Sequence, residues 1–164
     1  MAHLSGISWV KPEAMHLTLN FLGDDTPADQ VRDILQQMEK AAKGIAPFSI
    51  AIKGVTAFPD LKRPRVVVSE IDGEAQILST LKNNLDRSLS SLGFPMETRP
   101  FKGHLTLGRI KNRIDPVMFR KRLSGHTAFQ TRAFEAVRMT LFRSELRPSG
   151  PRYHELGSIE FPSL

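Results

Sequence analysis

The chain has 164 residues, with 23 Lys and Arg against 17 Asp and Glu (formal charge +6), 40 % apolar residues and no cysteine. This length and composition fit one domain, or two small lobes sharing a core, and the absence of thiols removes disulfides, thiolate catalysis and Cys-based zinc sites. No run approaches the ~18 apolar residues of a membrane helix, and the N-terminus lacks the charged-then-apolar order of a signal peptide, so a cytoplasmic location is expected.

Ile7-Ser8-Trp9-Val10 reads as a short strand closed by Lys11-Pro12. The next run alternates, with Met15, Leu17, Leu19 and Phe21 on one side and His16, Thr18 and Asn20 on the other. That period of two predicts a half-buried strand ending at Gly23. Asp24, Asp25 and Thr26-Pro27 supply a helix start, with Val31, Ile34, Leu35 and Met38 at helical spacing and Gly44 as the stop. A strand is predicted from Phe48 to about Gly54. Ala57-Phe58-Pro59-Asp60 is a loop, and the basic cluster Lys62-Arg63-Pro64-Arg65 precedes the strand Val66-Val67-Val68.

Asp72-Gly73 turns the chain into a second helix, with Ile77, Leu78, Leu81, Leu85, Leu89 and Leu92 as its buried stripe, ended by Gly93 and Pro95. A second alternating strand carries His104-Leu105-Thr106-Leu107, the same tetrad as His16-Leu17-Thr18-Leu19, and runs into Arg109 and Ile110. Asp115-Pro116 opens a short third helix to about Leu123. Strands are predicted at Ala128–Ala133, Ala136–Arg143 and His154–Phe161, with the Pro- and Gly-rich loop Arg147–Pro151 between the last two. The pattern is α+β with mostly antiparallel pairing in two quasi-equivalent halves, each offering one tetrad.

On a strand, a His and the Thr two residues on leave the same face about 6 to 7 Å apart. Two such strands side by side bring two imidazoles to one site. Histidine both takes and gives protons near neutral pH, so one ring can activate water while the other protonates the leaving oxygen of a phosphodiester. Thr18 and Thr106 can donate hydrogen bonds to the phosphoryl oxygens. One His-x-Thr alone is usually a polar strand face; the repeat is what makes the signal specific.

Other readings carry less weight. A zinc site at His16 and His104 lacks a His-x-x-x-His or Glu-bearing helical motif. His3, His126 and His154 have no repeated context, and no Gly-x-Ser-x-Gly elbow or Gly-rich phosphate loop occurs. Strict alternation puts Arg109 with the leucines, so only a strand end or a bulge could bring it to the histidines. Lys62, Arg63, Arg65 and Lys102 read either as solvated cations or as contacts to a polyanion. Trp9, Phe58, Phe101 and Tyr153 read as core or rim aromatics, or as surfaces on which a base stacks. The charge excess suits RNA or a phosphorylated small molecule, a weak signal by itself.

Trp9-Val10-x-Pro12-Glu13-x-x-His16-Leu17-Thr18-Leu19-x-Phe21-Leu22-Gly23, Phe58-Pro59, Arg63-Pro64-Arg65-Val66 and Phe101-Lys102-Gly103-His104-Leu105-Thr106-Leu107-Gly108-Arg109 together resemble the 2H phosphoesterase superfamily. Within it they look like the RNA 2′,3′-cyclic phosphodiesterase group, also called 2′-5′ RNA ligases. Ser144-Glu145-Leu146, Gly150 and Tyr153 echo that group's C-terminal strand and loop. The resemblance implies a single bilobal α+β domain over residues 1–164, with two mostly antiparallel sheets related by a pseudo-twofold axis through a central cleft and helices outside. It implies metal-independent hydrolysis of RNA-type 2′,3′-cyclic phosphates, with no cofactor.

Carried over, His104 is the general base on water, His16 the acid on the departing 3′-oxygen, and Thr18, Thr106 and Arg109 hold phosphate. Arg63, Arg65, Phe58 and Tyr153 are further candidate substrate contacts. Ligation through a 2′-5′ bond is the same step run in reverse. Expected partners are RNA ends or small nucleotides carrying a cyclic phosphate. The alternatives are a non-catalytic basic RNA-binding domain, or the same fold acting on 2′-5′ oligoadenylate or ADP-ribose cyclic phosphate.

Family members normally begin with a strand and helix ahead of the Trp-Val segment, which have no counterpart in the residues before Trp9. An exposed sheet edge, with strand exchange or a dimer across it, is therefore an expectation. Gly103 stands where many relatives carry Pro.

Overall fold

The computed structural model describes residues 6–147 and 150–162. His3 and the middle of the Arg147–Pro151 loop lie outside them. The chain divides into two compact units: residues up to Thr18 with Ala51–Gly73 and Lys102–Ala133, and Leu19–Ile50 with Glu74–Phe101 and Phe134 onward. No described helix is long and apolar enough to cross a membrane.

The first unit is built on a sheet of β1 (Ile7–Trp9), β4 (His104–Ile110), β3 (Val66–Gly73) and β2 (Phe48–Phe58), in the order β1-β4-β3-β2. One face buries Val55, Ala57 and Val67 against Phe119 and Leu123 of α3 (Pro116–Ser124), with Ile7, Trp9, Leu107 and Ile110 packed around them. Helix α3 starts as its sequence predicts. Pro116 occupies the first turn, and the Asp115 carboxylate accepts the Val117 N–H at 2.9 Å, filling one of the donors a helix start leaves open.

Close packing explains Gly108, a buried residue paired with Trp9. A Cβ there would lie 2.8 Å from Ile7 Cγ2 and 2.9 Å from Trp9 Cε3, so only glycine lets β1 lie this close to β4.

The second unit contains α1 (Val31–Ala42), α2 (Ala75–Ser90), the start of β2 paired with β5 (Phe134–Ala136), and the hairpin β6 (Arg138–Arg147) with β7 (Gly150–Glu160). Ile34, Met38, Leu78, Leu81, Leu85, Leu89, Met139 and Leu141 are buried, and Phe48 stacks on Phe161 with centroids 5.7 Å apart. Gly157 admits Leu35 of α1, whose methyl carbons would sit 2.9 Å from any Cβ at that position. Within this unit Lys82 and Asp86 form a buried ion pair one helical turn apart, and Asn20 Nδ2 donates to Asp86 Oδ1 at 2.8 Å.

The pairings β1–β4, β3–β4, β2–β5 and β6–β7 are antiparallel, as expected, and the three helices fall where predicted, with adjusted ends. A 3-10 turn, Ala28–Gln30, precedes α1, and Leu92 lies past the end of α2. Strands β2 and β3 run further than their apolar runs suggested.

Three expectations need correction. Ala128–Ala133 is not a strand: its only ladder contact among the described residues is a bridge between Gln130 and Lys53, and pairing passes to Phe134–Ala136. Met15–Phe21 is not a continuous strand either; only Leu17 bridges β4, at Leu105. Val10 N–H donates to Leu107 O at 2.9 Å, so Val10 to Leu17 spans the same stretch of β4 as Leu107 to Leu105. The surplus residues fold into a 3-10 turn at Pro12–Ala14, where Pro has no N–H to give a ladder. Phe21, expected on the core side, is 82 % exposed, because alternation ends at the bend after Thr18.

Candidate active site

His16, Leu17 and Thr18 of the first tetrad belong to the same unit as the whole of the second, and Leu19 is where the chain enters the other. The antiparallel Leu17–Leu105 bridge is the reason. Extended one residue each way, it sets His16 beside Thr106 and Thr18 beside His104, a local twofold arrangement of the two tetrads. His16 and His104 then stand in diagonal positions on one face, a relation that puts side-chain origins about 7–8 Å apart.

Each ring is held in the same way. His104 Nδ1 lies 2.7 Å from Lys102 O, and His16 Nδ1 lies 2.9 Å from Ala14 O, in both cases the carbonyl two residues earlier. A carbonyl oxygen only accepts, so Nδ1 carries the proton and Nε2 is the basic nitrogen of the neutral ring. Phe58 meets the His104 ring edge-on, with centroids 4.9 Å apart and planes at 73°, which restrains its rotation.

Register decides the position of Arg109. Opposite β3, Glu70 pairs with His104, Ser69 with Leu105, Val68 with Thr106, Val67 with Gly108 and Val66 with Arg109. The shift between Val67 and Val68 leaves Leu107 as the extra residue of a β-bulge. Paired residues share a face, so Arg109 stands with Thr106 and His104, while Gly108 joins Val67 on the core side. The strict alternation read from the sequence is thus overturned by one inserted residue. The same register brings Glu70 beside His104 and Ser8 of β1 beside Arg109. Sequence reasoning passed over both, because strand partners cannot be read from either strand alone.

His16, Thr18, His104 and Thr106 are half-buried and Arg109 is exposed. Two imidazoles, two hydroxyls and one guanidinium therefore share a sheet face, groups able to exchange protons and to bind an anionic phosphoryl oxygen. Among the described residues, no three His, Asp or Glu side chains gather as a metal would require.

The sequence matches the family model described as LigT like Phosphoesterase over residues 2–68 and 70–153. The chain belongs to the LigT-like phosphoesterase family. It is 32 % identical over 146 residues to an RNA 2′,3′-cyclic phosphodiesterase of Aquifex aeolicus, a match covering 88 % of this chain and 77 % of the relative. It is 33 % identical over 160 residues to one from Archaeoglobus fulgidus, covering 98 % and 87 %. Among solved structures, TT0787 of Thermus thermophilus superposes with a TM-score of 0.78 at 28 % identity, over 98 % of this chain and 85 % of that one. E. coli LigT complexed with 3′-AMP shares the fold, with a TM-score of 0.70 at 22 % identity over 95 % and 82 %.

The other candidate contacts of this LigT-like chain lie on several different elements. Arg63 is exposed in the β2–β3 loop, where its N–H donates to Asp60 Oδ1 at 2.8 Å. That bond, with the one from Lys62 N–H, holds the Asp60 carboxyl below its ordinary range. Arg65 is exposed just before β3; its carbonyl accepts the Ile110 N–H at 2.9 Å, a pairing that sets it opposite a core-side residue. Tyr153 belongs to the second unit, half-buried on β7 with its ring 6.1 Å from that of Phe142. Trp9 packs against the core of the first unit. His154 Nε2 lies 3.2 Å from the Glu145 carboxylate, which is held below its ordinary range chiefly by Arg147 and then by His154.

Proposed function

We propose that this LigT-like phosphoesterase hydrolyses RNA-type 2′,3′-cyclic phosphates to 2′-phosphates. His104 Nε2 removes a proton from water as its oxygen attacks phosphorus. The P–O3′ bond breaks in line, and His16, entering the step protonated, gives its proton to the departing 3′-oxygen. The two rings end the step in exchanged protonation states, and solvent resets them. Thr18 and Thr106 donate to the non-bridging oxygens, and Arg109 balances their charge as it builds. Run in reverse, this hydrolysis only re-forms the cyclic ester, so ligation is a forward step: with a 5′-hydroxyl in the place of water, the same displacement forms a 2′-5′ linkage.

The observation that supports this reading is the Leu17–Leu105 bridge, which sets two identically tethered imidazoles diagonally on one face. The names of the Aquifex and Archaeoglobus relatives point to the same substrate.

The test is turnover of a nucleoside 2′,3′-cyclic phosphate with and without EDTA, the product identified by phosphorus NMR. The expected product is the 2′-phosphomonoester, at a rate the chelator leaves unchanged, with a bell-shaped pH profile. A 3′-phosphomonoester, or loss of turnover in EDTA, contradicts the reading.

A further inference from the structure

The two ends of β4 differ in charge. At the His104 end, Glu70 faces His104 across the ladder, Asp72 lies 3.2 Å from Lys53, and Lys102 is exposed, so acids and bases balance. At the other end Arg109, Lys111 and Arg113 are all exposed. The acid nearest them in sequence, Asp115, has its carboxylate turned onto the Val117 N–H, and Asp60 of the β2–β3 loop has its own turned onto the N–H groups of Lys62 and Arg63.

The ladder carries past the end of β4, since Lys111 N–H donates to Gly6 O at 2.8 Å. With Arg109 already on the histidine face because of the bulge, alternation places Lys111 there too, and Arg113, also exposed, lies just past a bend at Asn112. Successive same-face residues are about 6–7 Å apart, so Arg109 and Lys111 lead away from the histidines, and the exposed Arg113 continues this basic row past the strand end.

We propose that this row is the track for the RNA strand on the 5′ side of the cyclic phosphate, with Lys111 and Arg113 as its phosphate contacts. The inference rests on the activity proposed above and adds a direction and a preference. A polyanion leaves the histidines toward the Arg109 end, away from Glu70, and oligoribonucleotide ends are processed in preference to mononucleotides. Nothing at Lys111 or Arg113 touches the reacting phosphate, so a mononucleotide gains nothing from them.

The experiment compares adenosine 2′,3′-cyclic phosphate with a short single-stranded oligoribonucleotide ending in the same group, across a salt series. The variants are wild type, Lys111→Gln with Arg113→Gln, and Lys102→Gln at the opposite end of β4. For the double variant the expected result is a roughly tenfold loss of kcat/KM on the oligonucleotide at low salt, and a log–log salt slope shallower by about 1.4, near 0.7 per lost phosphate contact. Its kcat/KM on the mononucleotide stays at the wild-type value, and Lys102→Gln keeps the wild-type slope.

An unchanged oligonucleotide slope in the double variant overturns the track, as does an equal loss on both substrates. If wild type turns over neither substrate, the proposed activity itself has failed. Anisotropy of the labelled oligonucleotide then decides the track separately: weaker, less salt-sensitive binding by the double variant supports it, and identical binding refutes it.

Discussion

The two His-Leu-Thr-Leu segments have the same sequence but different backbone support. The second lies inside β4, paired on one side with β3 and on the other with β1 and the first tetrad. The first holds a single bridge, between a 3-10 turn and a bend. Past Thr18 its chain passes into the second unit, where Asn20 donates to the buried Asp86. Yet both rings make the same Nδ1 contact to the carbonyl two residues back. What the tetrads have in common is a local device that fixes the tautomer, and a regular ladder is not needed to build it.

The largest effects should come from removing the rings. His16→Ala and His104→Ala are each expected to lower kcat on a cyclic phosphate by about two to four decades without lowering Tm. If the irregular first segment were only a polar surface, His16→Ala would keep the wild-type rate.

The next test concerns support of the chain beyond the first tetrad. Lys82→Met leaves Asp86 buried without its cation, a change that costs about 3–5 kcal/mol, to be read by urea denaturation. Replacing both members of the pair with apolar residues should recover most of that loss. On the proposed reading, Thr18→Ala and Thr106→Ala each take away one donor to the phosphoryl oxygens, and kcat is expected to fall by up to about a hundredfold at constant stability. Similar losses at the two positions would show that the tetrads act as equals despite their different frames.

Gly108→Val tests the packed side of β4. Its methyls meet Ile7 and Trp9, and overpacking of this kind costs about 1–3 kcal/mol, seen as a lower Tm.

The smallest effect is expected at Glu97, whose carboxyl the Arg99 side chain and backbone N–H lower to about 2. A lowered carboxyl stabilises the fold above its unfolded value and loses that contribution as pH falls toward 2. The group is fully exposed, so Glu97→Gln should flatten the acid limb of Tm against pH only slightly, and leave Tm near neutral pH almost unchanged.

Much of this site was legible in the sequence because alternation reports which face a residue takes. The repeated tetrad, the turn at Lys11-Pro12 and the Asp115-Pro116 helix start are all local features. The bulge at Leu107 was not legible, since an inserted residue is defined only against the partner strand, and with it went the position of Arg109. The exposure of Phe21 was hidden for a related reason: an apolar residue continuing a pattern looks buried until the chain bends. Likewise β5 depends on the first residues of β2, and nothing near Phe134 announces that pairing.

The most direct test of the central claim separates the two rings by leaving group. A nitrophenyl phosphodiester expels a stable phenolate that needs no proton, whereas the ribose 3′-oxygen of a cyclic phosphate needs one. His16→Ala should therefore keep near wild-type turnover of the nitrophenyl ester while losing the cyclic phosphate, and His104→Ala should lose both. Equal losses on both substrates for the two variants would contradict the division of acid and base between His16 and His104.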